Sequence, residues 1–180
     1  MNRYCALLRG INVGGNNIIK MADLKTAFEN MGFNDVKTYI QSGNVVFSSE
    51  VDNAESLRVL IEDSLSESFS YNSKIVLITK SFLKKVIDEK PNEIGSDPDN
   101  YKYDCLFVKP PLTTKEIFSA LVLNEGVDAA WDKNGIIYFS RLGEKSSQSQ
   151  LNKFVSTPLY KNVTIRNWNT TKKLAMLILE

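Results

Sequence analysis

The sequence predicts an α+β protein built as a tandem duplication of two ferredoxin-like units, each β-α-β-β-α-β and each followed by an extra helix. Three observations predict it. Short apolar runs of strand length alternate with stretches whose apolar residues recur at helical spacing. The order of elements in residues 1–90 recurs in residues 103–180. Between the halves lies "DEKPNEIGSDPDNY", residues 88–101, rich in Pro, Gly, Asn and acids, so residues 91–102 read as a connector.

In the first half, residues 3–9 ("RYCALLR") form an apolar strand. Met21, Leu24, Ala27, Phe28 and Met31 recur every three or four residues and predict a helix that stops at Gly32. "VKTYIQ" and "NVVFSS" are strands joined by "SG", a hairpin tip by composition. Leu57, Leu60, Ile61 and Leu65 mark a second helix, "KIVLIT" a fourth strand, and Phe82, Leu83, Val86 and Ile87 the trailing helix.

In the second half, "YDCLFVK" is a strand and "TTKEIFSALVLNEG" a helix started by Thr and stopped by Gly126. "VDAAW" and "IIYFSR" form a hairpin across "DKNG", and Leu151, Phe154 and Val155 mark a weak helix. "NVTIRNW" supplies the fourth strand and "TTKKLAMLIL" the trailing helix. The repeat extends to single residues: Cys5 matches Cys105 within the first strands, and Arg9 matches Lys109 at their exits. "YCALL", "KIVLI" and "CLFV" are apolar on both faces, whereas helices cover only one side of such a sheet. Either the two sheets cover each other or a second copy of the chain does.

Composition narrows the function classes. With 43% hydrophobic residues the 180-residue chain can fill a core. No apolar stretch approaches the ~20 residues that cross a bilayer, and "YCALL" is too short for a signal peptide, so the expected location is the cytoplasm. Histidine is absent, which removes the commonest general base and metal ligand, so no metal site or cofactor is expected. A net charge of +1 argues against nonspecific nucleic-acid binding. The charge is uneven: residues 50–104 hold twelve acids and seven bases, residues 141–180 seven bases and two acids.

The topology locates the most unusual segment, "RGINVGGNN". In a ferredoxin-like unit the loop after the first strand and the tip of the second hairpin share one edge. Arg9, Asn12, Gly14, Gly15, Asn16, Asn17, Lys20, Gln41, Ser42 and Asn44 then gather there. Backbone amides at Gly14 and Gly15, near the positive end of the following helix, would suit a phosphate or carboxylate, and Arg9 could add a bidentate contact. The plain alternative is a turn in which Gly and Asn supply positive φ. The loop's length favours function, because its counterpart "KPPLTT" needs about half as many residues. It matches neither a Walker A loop nor a dinucleotide fingerprint.

A second constellation is Arg166, Asn167, Trp168 and Asn169 in "IRNWNTTKKL". Asn169 or Thr170 would cap the last helix and Trp168 plug the core. Alternatively, an exposed Trp168 between Arg166, Lys172 and Lys173 would stack a base. Catalytic candidates are sparse: no carboxylate pair and no nucleophile with a base can be assigned by spacing.

"ALLRGINVGGNN", "MADL", "YIQSGNVVFSS" and "VTIRNWNTTKKL" resemble the signature segments of a bacterial family of conserved proteins known only as a domain of unknown function. The resemblance covers essentially the whole chain. It implies a tandem ferredoxin-like architecture and no activity; similar proteins are expected to carry a basic residue where Asn16 and Asn17 stand. The functional expectation is a cytoplasmic binding module for an anionic small ligand, a nucleotide or phosphorylated metabolite, at residues 9–17 and 41–44. The alternatives are an enzyme acting on such a ligand without histidine chemistry, or a protein-interaction or oligomer-forming module, a homo-oligomer included, whose doubly apolar strands form the interface.

Overall fold

A computed structural model describes residues 1–180. The first repeat runs β1 (Asn2–Leu8), α1 (Met21–Asn30), β2 (Asn34–Tyr39), β3 (Asn44–Ser49), α2 (Ala54–Phe69) and β4 (Ile75–Thr79), trailed by α3 (Lys80–Asp88). The second runs β5 (Tyr101–Val108), α4 (Thr114–Ala120), β6 (Asp128–Lys133), β7 (Ile136–Leu142), α5 (Leu151–Phe154) and β8 (Val163–Asn167), trailed by α6 (Trp168–Leu179). The strand orders are β2-β3-β1-β4 and β6-β7-β5-β8, and every pairing is antiparallel. Two ferredoxin-like units are therefore present, as the repeat predicts.

The duplication reaches the hydrogen bonds. The Arg9 amide donates to the Lys74 carbonyl just before β4, and the Lys109 amide donates to the Asn162 carbonyl just before β8. Cys5 and Cys105 occupy matching central positions, are fully buried and form no disulfide. Burial pushes the Cys105 thiol up to about 12, which keeps it protonated and inert at neutral pH.

The chain divides into two compact units, Met1–Lys84 with Lys173–Glu180, and Lys85–Lys172. Residues 91–102 thus fall within the second unit, where Ile94 is fully buried, and the last turns of α6 group with the first. In the first unit α1 and α2 press Leu24, Phe28, Leu57, Ile61 and Leu65 onto Ala6, Leu8, Val45 and Phe47. Phe28, Phe33 and Phe47 interlock with ring centroids 4.5–5.9 Å apart. Burying each such ring is worth about 1.5–3 kcal/mol. On the opposite face Cys5, Leu7, Val46 and Ile78 are also buried. There the Arg3 guanidinium donates to the Leu177 carbonyl at 3.0 Å and Lys37 pairs with Glu180, tying down the end of α6.

In the second unit Leu106, Ile137, Phe139 and Val163 meet Ile117, Leu151 and Phe154. On the other face the buried Tyr138 hydroxyl donates to the Val86 carbonyl of α3 at 2.8 Å. The doubly apolar strands are therefore covered on both faces within one chain.

Four boundaries differ from expectation. Strand β2 starts at Asn34 and stops at Tyr39, because Ile40 turns the chain with φ +50°. Helix α4 ends at Ala120 rather than near Gly126: the Asp128 carboxylate accepts the Asn124 amide at 3.0 Å and fixes a turn over residues 124–128. The weak helix is the single turn α5, flanked by 3-10 segments. Helix α6 begins at Trp168, one residue ahead of the expected caps, because Asn167 performs that role: its Oδ1 accepts the Asn169 amide at 2.9 Å.

Candidate functional site

Within the first unit the β1 exit, the start of α1 and the β2–β3 tip meet at one edge, fastened by Asn12. Its Nδ2 donates to the Ile19 carbonyl at 3.0 Å and to the Gln41 carbonyl at 2.9 Å, and its Oδ1 accepts the Ile19 amide at 2.8 Å. One carboxamide thus pins the helix entry to the hairpin tip. Its φ of +55° is a conformation Asn tolerates better than other side chains do. Both Nδ2 hydrogens are thus engaged inside the edge, and Asn12 holds its parts together as a positioning residue.

Residues 12–17 are a miniature hairpin. Val13 bridges Asn16, the Asn12 amide donates to the Asn17 carbonyl, and Gly14 and Gly15 form the tip with φ of +59° and +78°. Two successive positive φ values are what a two-residue hairpin turn requires. A side chain at Gly15 would meet nothing, so these glycines serve the turn and not a close approach. Asn17 ties back to the Gly10 carbonyl at 2.8 Å. Gly43 differs, since a Cβ there would lie 2.6 Å from Ile11 Cδ1 and 2.9 Å from Leu8 Cβ. Asn44 is fully buried and donates to the Tyr39 carbonyl at 2.9 Å and Ser42 Oγ at 3.1 Å, so it holds the tip from beneath.

The exposed part of the edge comprises Val13, Gly14, Gly15, Asn16, Ile18, Lys20 and the tip, with Arg9 half-buried beside them. Lys74 joins through the bond its carbonyl accepts from Arg9; the sequence reading missed it, although the same topology puts the start of β4 at this edge. Nearby, burial raises the Tyr71 phenol above its ordinary range.

Helix α1 has Lys20 at its N-cap, with no side chain capping its first turn. Its counterpart α4 carries a complete capping box: Thr113 Oγ1 accepts the Glu116 amide at 3.3 Å, and the Glu116 carboxylate accepts the Thr113 amide at 2.8 Å. The Thr113 hydroxyl and amide hold that carboxyl below its ordinary range. The same place in the two repeats is self-satisfied in one and open in the other, and the open one begins at Lys20.

Arg166, Asn167, Trp168 and Asn169 belong to the second unit, at the end of β8 that pairs with the start of β5. Trp168 is buried, 5% exposed, against Gly95, where a Cβ would stand 2.9 Å from the indole nitrogen. Arg166 is buried and donates to the Ile165 carbonyl, and Asn167 donates to the Tyr103 carbonyl. The segment packs and caps; no exposed indole stands ready for a base, and of the four only Asn167 and Asn169 are open to solvent.

No helix is long and apolar enough to cross a membrane. No curated protein matches the chain. Its fold is similar to the solved structure of a conserved bacterial protein, SP0830, from Streptococcus pneumoniae, 26% identical over 98% of each chain with a TM-score of 0.86. A family described as "Protein of unknown function (DUF1697)" matches residues 1–138. With the loop and hairpin that dominate the candidate edge inside that match, the chain belongs to the DUF1697 family of conserved proteins of unknown function.

Proposed function

We propose that the protein is a binding module whose first unit takes an anionic small ligand, a nucleotide or other phosphorylated metabolite, at the edge formed by residues 9–20 and 40–44. The observation that carries this reading is the unequal capping of the two repeats: α4 closes its own N-terminus and α1 leaves its first-turn amides open. Those amides and the helix dipole favour a bound anion. Arg9 and Lys20 supply the cations, the first offering planar bidentate geometry and the second a point charge. Asn12, Gly43 and Asn44 hold the edge without touching the ligand. Such preorganisation lowers the entropic cost of binding.

A thermal-shift series with inorganic phosphate, nucleoside mono-, di- and triphosphates and sugar phosphates, at constant ionic strength, tests this. At least one anion raises the unfolding midpoint, and an Arg9→Ala, Lys20→Ala double substitution abolishes the response. A panel without effect, or an undiminished response in the double variant, rejects the reading. A second reading, a protein-interaction surface, draws on Val13 and Ile18, which stand 65% and 75% exposed at the same edge.

A further inference from the structure

On the face of the second sheet away from α4, alternation along the strands places Ala129 and Trp131 of β6, Ser140 of β7, and Tyr101 and Tyr103 of β5 side by side. The register sets Ala129 opposite Ser140 and Ser140 opposite Tyr103. Two small side chains in a row between large rings leave a dent. The remaining wall is the acidic stretch after α3, which is held in place rather than loose. Ile94 is buried, Gly95 packs on Trp168, and the Asp97 amide donates to the Tyr103 hydroxyl at 3.1 Å. The result is a cavity of about 270 Å³ with Trp131, Tyr101 and Tyr103 as its aromatic lining and Glu93 and Asp97 as its charges. Tyr101 and Tyr103 stack with centroids 6.4 Å apart. No lysine or arginine lines it.

We infer that this cavity binds a small organic cation bearing a methylated, quaternary ammonium group. Ring faces attract a weakly hydrated cation through their quadrupoles, and an indole does so best. The two carboxylates supply net negative charge at the mouth, and a quaternary head needs no hydrogen-bond acceptor, which ring faces do not offer. An anion is repelled by Glu93 and by Asp97, whose carboxylate is fixed by hydrogen bonds from Asn100, and a neutral apolar ligand gains nothing from either charge. The size suits a head group of a few carbon atoms, just below the ~300–1,000 Å³ of drug-sized sites. This site lies wholly in the second unit and is independent of the anion edge.

The test is isothermal titration of the intact protein with choline chloride and tetramethylammonium chloride, against sodium chloride at equal ionic strength. Saturable heat is expected with the quaternary ions alone. Trp131→Leu, which keeps apolar bulk and removes the ring face, is expected to weaken binding at least tenfold. Glu93→Gln, at an exposed position that leaves the fold intact, is expected to weaken it severalfold, and its thermal midpoint should match that of the parent. No saturable heat above the sodium control overturns the inference, as does equal binding by both variants. If Trp131→Leu unfolds, the Glu93→Gln result alone decides.

Discussion

Replacing Asn12 by alanine removes three hydrogen bonds at once. Those to the Ile19 amide and carbonyl are partly buried, and the one to Gln41 is exposed. Counting about 1 kcal/mol net for each of the first two and little for the third gives about 2 kcal/mol. Alanine also tolerates φ near +55° worse than asparagine, which adds roughly 1 kcal/mol. For a chain of this size about 3 kcal/mol lowers the thermal midpoint by about 6–12 °C. Asn12→Gly loses the same bonds but relieves the φ strain, and is expected to lie nearer the parent than Asn12→Ala. Asn12→Asp keeps the acceptor for Ile19 N–H yet sets a carboxylate against two carbonyl oxygens, and is expected to be at least as unstable as the alanine variant at neutral pH. Differential scanning calorimetry of the three variants decides. An Asn12→Ala midpoint within about 2 °C of the parent refutes the fastener, as does a glycine variant less stable than the alanine one.

Three other predictions concern the same architecture. Gly43→Ala combines φ +77° with a Cβ 2.6 Å from Ile11 Cδ1, and should cost about 3 kcal/mol by urea denaturation. Gly14→Ala, with φ +59° and no neighbour nearer than 3.9 Å, should cost only about 1 kcal/mol; equal costs would contradict the distinction between packed and turn glycines. Lys20→Asp supplies the missing cap of α1 and should stabilise the protein by about 0.5–1 kcal/mol while abolishing the phosphate-dependent thermal shift; a stabilised variant that still responds to phosphate would contradict the site. Glu116 has its folded pKa below the ordinary 4.5, so its contribution to stability is present above pH 4.5 and is lost as pH falls through the folded value. In Thr113→Val, carboxyl NMR should show the Glu116 midpoint rising toward 4.5; an unchanged midpoint would show that the box does not hold it.

Much of this is legible in the chain before any coordinates. The period-2 and helical patterns yield both β-α-β-β-α-β units, because burial of one face of each element dictates them. The shared edge follows from topology alone, and Asn12 really does lie beside Gln41. What the sequence hides is which way a polar side chain is spent. Asn12, Asn44 and Asn167 read equally well as ligand donors or as internal fasteners, and only the bonds they make decide. Trp168 likewise fits a core or a stacking platform until Gly95 is seen beneath it. The shortened α4 depends on Asp128 reaching back four residues, a local bond that competes with a helical pattern running on to Gly126. The acidic segment around residue 94 has linker composition, yet a single buried Ile94 and a bond to Tyr103 are enough to make it a wall.

The central claim, an open helix N-terminus that receives an anion, is tested most directly by amide chemical shifts of the nitrogen-15-labelled protein during titration with inorganic phosphate and with the best anion from the thermal-shift panel. The account predicts saturable shifts concentrated at Gly14, Gly15, Met21 and Ala22, absent in Lys20→Asp. Saturable shifts centred elsewhere, or none at this edge with any anion, would contradict it.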